Sequence, residues 1–158
     1  MMHIASDDQG LESLPLKLMV VAIVASLSII PAADALDNLR ARDFARRADL
    51  QLAQVVSCAE LLTVAGPGNV RTISLDFSGH GKERFSRLLI GDALDGPNRS
   101  SVILELREGD LMVRSANQPP AMLCSPQLKC LEIDSLATEI RMTSVRSGEG
   151  THVIVEER

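Results

Sequence analysis

Hydrophobic positions follow three regimes along this chain. From Leu11 to Ala35 they are nearly continuous, and Leu18 to Ala33 (LMVVAIVASLSIIPAA) carries no charge. A helix needs about 20 mostly apolar residues to cross a bilayer, so Leu14 to Ala35 is just long enough, with Lys17 placed to snorkel its ammonium toward the interface. Pro31 lies near the far end, where a missing backbone donor predicts a kink. Beyond it the pattern becomes periodic. Phe44, Ala48, Leu52, Val55, Ala59 and Leu62 recur at steps of three and four, while Arg46, Asp49, Gln54 and Glu60 fall elsewhere, which predicts an amphipathic helix. Gly66-Pro67-Gly68 should stop it. The spacing therefore predicts one helix over 11–65, about 55 residues and roughly 80 Å long. Such a helix cannot be covered by its own domain, and its apolar half needs lipid or partner subunits.

From Asn69 the period changes to two. Ile73, Leu75 and Phe77 alternate with Thr72, Ser74 and Asp76, and Val102, Leu104 and Leu106 repeat the alternation, with a weaker strand signal at Arg87 to Ile90. Glu108-Gly109 reads as a turn between Val102–Arg107 and Leu111–Arg114, and Ser147 to Gly150 joins Glu139–Val145 to His152–Val155. The expected fold class is α+β: a long N-terminal helix packed on an antiparallel sheet of five or six strands, with 69–158 as a β-rich exterior domain.

The short segment before the apolar run carries the strongest functional signal. Met1 to Gly10 is polar and ends in Asp7, Asp8 and Gln9 before Gly10, so a cut between Gly10 and Leu11 would leave the apolar segment at the start of the mature chain. An ordinary secretory signal has the reverse order, the cut following the apolar region. This layout resembles type IV prepilins, and in particular archaeal pilin-like proteins whose mature N-terminus runs Glu-Ser-Leu-Pro-Leu-Lys, as Glu12 to Lys17 do here. The resemblance covers roughly Asp7 to Phe77. It implies cleavage by a membrane prepilin peptidase at Gly10 and Leu11, and assembly with like or related subunits through Glu12, Leu14, Leu18, Val21 and Val24. It also implies a single-pass membrane location with the C-terminal domain outside, then a cell-surface filament. The family glutamate that neutralises a neighbouring α-amino group lies at the fifth mature position in the bacterial motif; here Pro15 stands there, and Glu12 is the early acid.

Three alternatives accompany this reading. Ala33-Asp34-Ala35 fits a signal-peptidase site after the h-region Leu18 to Ile30, although residues 1–16 hold Asp7, Asp8 and Glu12 and no Lys or Arg. A buried helix of a soluble protein is the second, although such helices are rarely apolar over this length. The third is a secreted or membrane-tethered β-rich binding domain that never polymerises. Arg40, Arg42, Arg46 and Arg47 follow the span while Lys17 alone precedes it, and the positive-inside bias would place those arginines in the cytoplasm.

Composition narrows the chemistry. The chain lacks Trp and Tyr and has three Phe, which leaves no stacking platform for bases or sugars. The 21 acids fall to 19 without Asp7 and Asp8, against 16 bases, and no nucleic-acid partner is expected. Cys58 falls close to the helix stripe and reads as a small buried residue. Cys124 and Cys130 bracket Ser125 to Lys129 and could close a small disulfide loop in an oxidising exterior, or remain two free thiols. Neither these nor His3, His80 and His152 have metal-ligand spacing, so no metal and no cofactor are expected. Asn98-Arg99-Ser100 is an N-glycosylation sequon in a turn-rich stretch. Ser78 to Lys82 lacks P-loop spacing and reads as a connection between strands, and His80 has no identifiable partner, so no enzyme activity is expected.

Overall fold

The computed structural model describes residues 8–148 and 150–158, with side chains from Pro15 onward. The order of elements is α1 (Asp8–Ala65), β1 (Val70–Asp76), a short 3-10 turn (Lys82–Arg84), β2 (Phe85–Ile90), β3 (Ser101–Leu106), β4 (Leu111–Ser115), β5 (Met122–Cys124), β6 (Leu131–Ile133), β7 (Ala137–Ser147) and β8 (Gly150–Glu157). The fold is α+β. A boundary between two compact units falls after Leu39, within α1.

In the first unit the residues with described side chains, Pro15 to Leu39, are helical and exposed throughout. Pro15 and Pro31 both lie inside α1 rather than ending it. Ser26 and Ser28 turn their hydroxyls back on the helix, donating to the carbonyls of Ala22 (2.7 Å) and Val24 (2.9 Å). The hydroxyls are thus satisfied without water, as an apolar surrounding requires.

The second unit begins at Arg40. Its part of α1 buries Phe44, Ala48, Leu52, Val55, Ala59 and Leu62, the stripe the periodicity predicts, with Val56 and Cys58 beside them. The helix closes at Gly66, whose positive φ of 85° suits glycine and whose N–H reaches the Leu62 carbonyl at 3.1 Å. Asn69 then donates to the carbonyls of Ala65 and Gly66, satisfying acceptors that helix ends leave open.

Two four-stranded sheets meet this helix, where the sequence predicted one sheet of five or six strands. The first has the order β1-β7-β8-β5 and the second β4-β3-β2-β6. All pairings are antiparallel except β5 with β8. The difference has a local cause. β5 and β6 are three residues each, too short to display a period, and a parallel pairing has no adjoining turn to announce it. Ile73 and Leu75 from β1, Leu88 and Ile90 from β2, Val102 and Leu104 from β3, and Ile140, Met142, Val153 and Val155 from β7 and β8 join the helix stripe in one core.

Polar groups on α1 fix the loops around that core. Arg47 donates to the carbonyls of Ser78 (2.9 Å) and His80 (2.6 Å), and Gln51 exchanges hydrogen bonds with the backbone of Asp76. Phe77 and Phe85 stack at 5.2 Å across the same connection. Gly91 is required by close approach: at φ 67°, a Cβ there would overlap the Leu123 carbonyl. The loop beginning at Gly91 covers β5, with N–H groups of Asp92 and Leu123 bonded to the carbonyls of Leu123 and Arg99.

Candidate functional site

The most conspicuous surface of the molecule is the apolar helix of the first unit. Leu16, Leu18, Met19, Val20, Val21, Ile23, Val24, Leu27, Ile29 and Ile30 are large, apolar and exposed; Leu18 is 67% accessible and Val24 57%. Burying one such side chain contributes about 1.5–3 kcal/mol, so leaving all of them in water is strongly unfavourable. The helix from Pro15 contains a stretch long and apolar enough to cross a membrane. Lys17, the sole charge before Asp34 among the described side chains, shares a surface concavity with Leu16, Val20 and Val21. Its stem can lie on apolar surface while its ammonium stays in a polar layer.

Of the residues expected to act in processing and assembly, Leu18, Val21 and Val24 are exposed on this helix. Gly10, Leu11, Glu12 and Leu14 fall in its first turns, and their side chains lie outside the described residues, as does the rest of the leader before Asp8.

The other candidate positions are scattered over the second unit. Asn98 is exposed in the turn before β3, its N–H 3.4 Å from a carboxylate oxygen of Asp92 and its carbonyl bonded to the Ser101 N–H. Cys124 and Cys130 are both free thiols in this structure, the first buried at the end of β5 and the second exposed before β6. The segment between them is a closed turn, with the Ser125 N–H on the Lys129 carbonyl at 2.8 Å. Burial pushes all three cysteine thiols up, with Asp92 and Glu132 adding to the effect at Cys130. Each therefore favours the protonated thiol over the nucleophilic thiolate. Cys58 is buried, as its place by the stripe suggests. His80 lies in the β1–β2 connection, where its carbonyl receives Arg47. Among the described residues no group of three or more His, Cys, Asp or Glu is placed to hold a metal ion.

Two features escaped the sequence reading. Arg114 on β4 grips Asp49 on α1 through two bonds, 2.8 and 2.7 Å. The two residues are 65 apart in sequence, so no spacing could announce the pair. The face of α1 turned away from the core also carries large apolar residues, Leu50, Leu61 and Val64, all exposed. Beside them a groove of about 320 Å³ is lined by Ser57, Glu60, Leu61, Val64, Gln118 and Pro119, and the Glu60 carboxylate accepts the N–H groups of Asn117 and Gln118. This second apolar stripe was present in the sequence at helical spacing, masked by the polar residues interleaved with it.

Comparisons with family models, with curated proteins and with solved structures found no match. What defines the class is the layout itself: a long N-terminal helix, uncovered and apolar in its first part, whose later part packs on β-sheets, a pilin-like arrangement.

Proposed function

We propose that this chain is a structural subunit of a type IV pilus-like surface filament or machine, major or minor, and not an enzyme. The observation that carries the reading is the uncovered apolar stretch from Leu16 to Ile30, preceded in sequence by a polar leader ending at Gly10. The leader is removed by a prepilin peptidase between Gly10 and Leu11. The helix first holds the subunit in the membrane with the β-domain outside, and then packs against equivalent helices that replace the lipid. Glu12, the early acid of the mature sequence, takes the role of the family glutamate that neutralises a neighbour's α-amino group.

The test is the N-terminal residue of the mature protein together with the state of assembly. Mass spectrometry should find Leu11 as the first residue, and Gly10→Trp should leave the leader attached, because a narrow peptidase site must accept that position. Electron microscopy of sheared surface fractions should show filaments containing the chain. A mature start at Leu36, or unchanged processing of Gly10→Trp, overturns the prepilin reading. Correct processing without filaments, in cells holding the partner subunits, leaves a membrane-tethered β-rich binding domain in its place.

A further inference from the structure

Two exposed surfaces of the second unit complement one another, and a single chain leaves both uncovered. The first is the outward stripe of α1. It carries Arg42 and Arg46 one helical turn apart, then Leu50 one turn further, 62% accessible. The nearby acids are taken: Asp43 lies 3.1 Å from Arg47, and Asp49 is held by Arg114. Among the described residues, Arg42 and Arg46 have no carboxylate partner, and the stripe is basic beside an apolar anchor.

The second surface is the outer face of the sheet β4-β3-β2-β6. Its register places Val113, Ile103, Leu89 and Glu132 in one row across the four strands, and Leu111, Glu105 and Arg87 in the next. Leu111 and Val113 are exposed. Glu105 and Glu132 share one guanidinium, that of Arg87, at 2.5 Å each, which leaves the cluster one negative charge in excess. This cluster is thus acidic, and it lies beside an apolar patch.

We infer that consecutive copies of this chain join head to tail through these two surfaces, the α1 stripe of one copy lying on the outer β2-β3-β4 face of the next. The inference rests on the assembling-subunit reading and names one contact within it. The steps match: Arg46 and Leu50 are about 6 Å apart along the helix, and Glu105 and Ile103 about 6.8 Å along their strand. Arg46 therefore meets the Glu105 and Glu132 carboxylates while Leu50 covers Ile103 and Val113. Pairing either surface with itself would oppose like charges, Arg42 and Arg46 in one case, Glu105 and Glu132 in the other. That disfavours a two-fold dimer and leaves a heterologous contact, the kind that propagates into open helical assemblies.

The experiment uses the full-length chain in cell membranes, with the photoreactive residue p-benzoylphenylalanine in place of Leu50. Irradiation should yield a chain-to-chain adduct that mass spectrometry maps to residues 85–90, 101–106 or 111–115. Arg46→Glu should lower its yield by about fivefold, as expected when an exposed attraction becomes a repulsion, and Glu132→Arg added to it should restore the yield. Circular dichroism melts of both variants should match the parent, since the two side chains are exposed. Adducts confined to 40–65, an unaffected yield in Arg46→Glu, or no rescue by Glu132→Arg overturns the contact. Filaments that persist without the adduct remove the contact and keep the assembly reading, whereas the adduct without filaments keeps the contact as an oligomer interface and removes the filament.

Discussion

Leu18 and Leu52 belong to one helix and the same residue type, yet Leu18 is 67% exposed and Leu52 is 1%. The second is covered because Ala48, Val55 and Val56, at steps of three and four, share its buried face while Asp49, Gln51 and Gln54 fall beside it, so the chain's own sheets can bury one face and water can take the other. From Leu18 to Ala33 no charge marks out a polar face of the helix. No single sheet could cover all of it, and a helix of this length and apolarity is compatible with a membrane anchor. A stripe thus folds a domain, whereas an apolar cylinder suits an apolar surrounding on every side.

The sharpest way to break that contrast is to weaken the covered half. Leu52→Ala leaves a cavity in the shared core and should cost about 2–5 kcal/mol of domain stability, read as a lowered urea midpoint of the detergent-solubilised protein. Membrane retention in alkaline wash should be unchanged. A variant that leaves the midpoint in place would mean that α1 is not held by the sheets.

The uncovered half is tested by the opposite substitution. Val24→Asp places a charge in the middle of the apolar stretch and should cost about 2.5–3.5 kcal/mol of insertion, releasing the protein into the soluble fraction or abolishing filaments. The urea midpoint of the β-domain should not move. Unimpaired retention and filament yield would remove the helix from both roles.

How much of this could be read in advance depended on whether the signal was local. The stripe Phe44 to Leu62, the Gly66 stop and the strands β1, β3, β4, β7 and β8 all have a period or a turn within a few residues, and the structure has them. Partition into two sheets was not legible, because it depends on Met122–Cys124 finding β8 in parallel and Leu131–Ile133 finding β2. The exposure of Leu18, Val21 and Val24 followed from uniform apolarity. By contrast Leu50, Leu61 and Val64 were hidden among Arg46, Asp49, Gln54 and Glu60, which made that face look merely polar.

A third test asks on which side of the membrane the folded half lies. If the β-domain faces an oxidising exterior, the turn between Ser125 and Lys129 gives Cys124 and Cys130 a short loop to close, and a bond would add up to about 2–3 kcal/mol. Alkylation without reductant of protein isolated from the cell surface should then leave both thiols unlabelled and Cys58 reactive after unfolding. Labelling of Cys124 and Cys130 under the same conditions removes the bond. Glycan on the exposed Asn98 in the same sample places the domain outside despite the arginines at 40, 42, 46 and 47.

Within the covered half, one polar contact ties α1 to β4. The Arg114 guanidinium, through its hydrogen bonds first and its charge second, holds the Asp49 carboxyl below the usual carboxylate range. A folded-state value below the unfolded one of about 3.9 means the contribution is complete above that pH and is lost as pH falls through the depressed value. Both side chains are substantially exposed, 40% for Asp49 and 50% for Arg114, so solvent and salt weaken the pair. Asp49→Asn should therefore lower the domain Tm at pH 7 by no more than about 3 °C, with the difference from the parent shrinking toward pH 3 and in high salt. Because Asp49 sits beside the outward stripe, the same substitution also frees Arg114. If filament yield falls while Tm stays within a degree of the parent, the pair's larger role lies in the charge pattern it leaves on the surface; if Tm alone falls, its role is to fasten helix to strand.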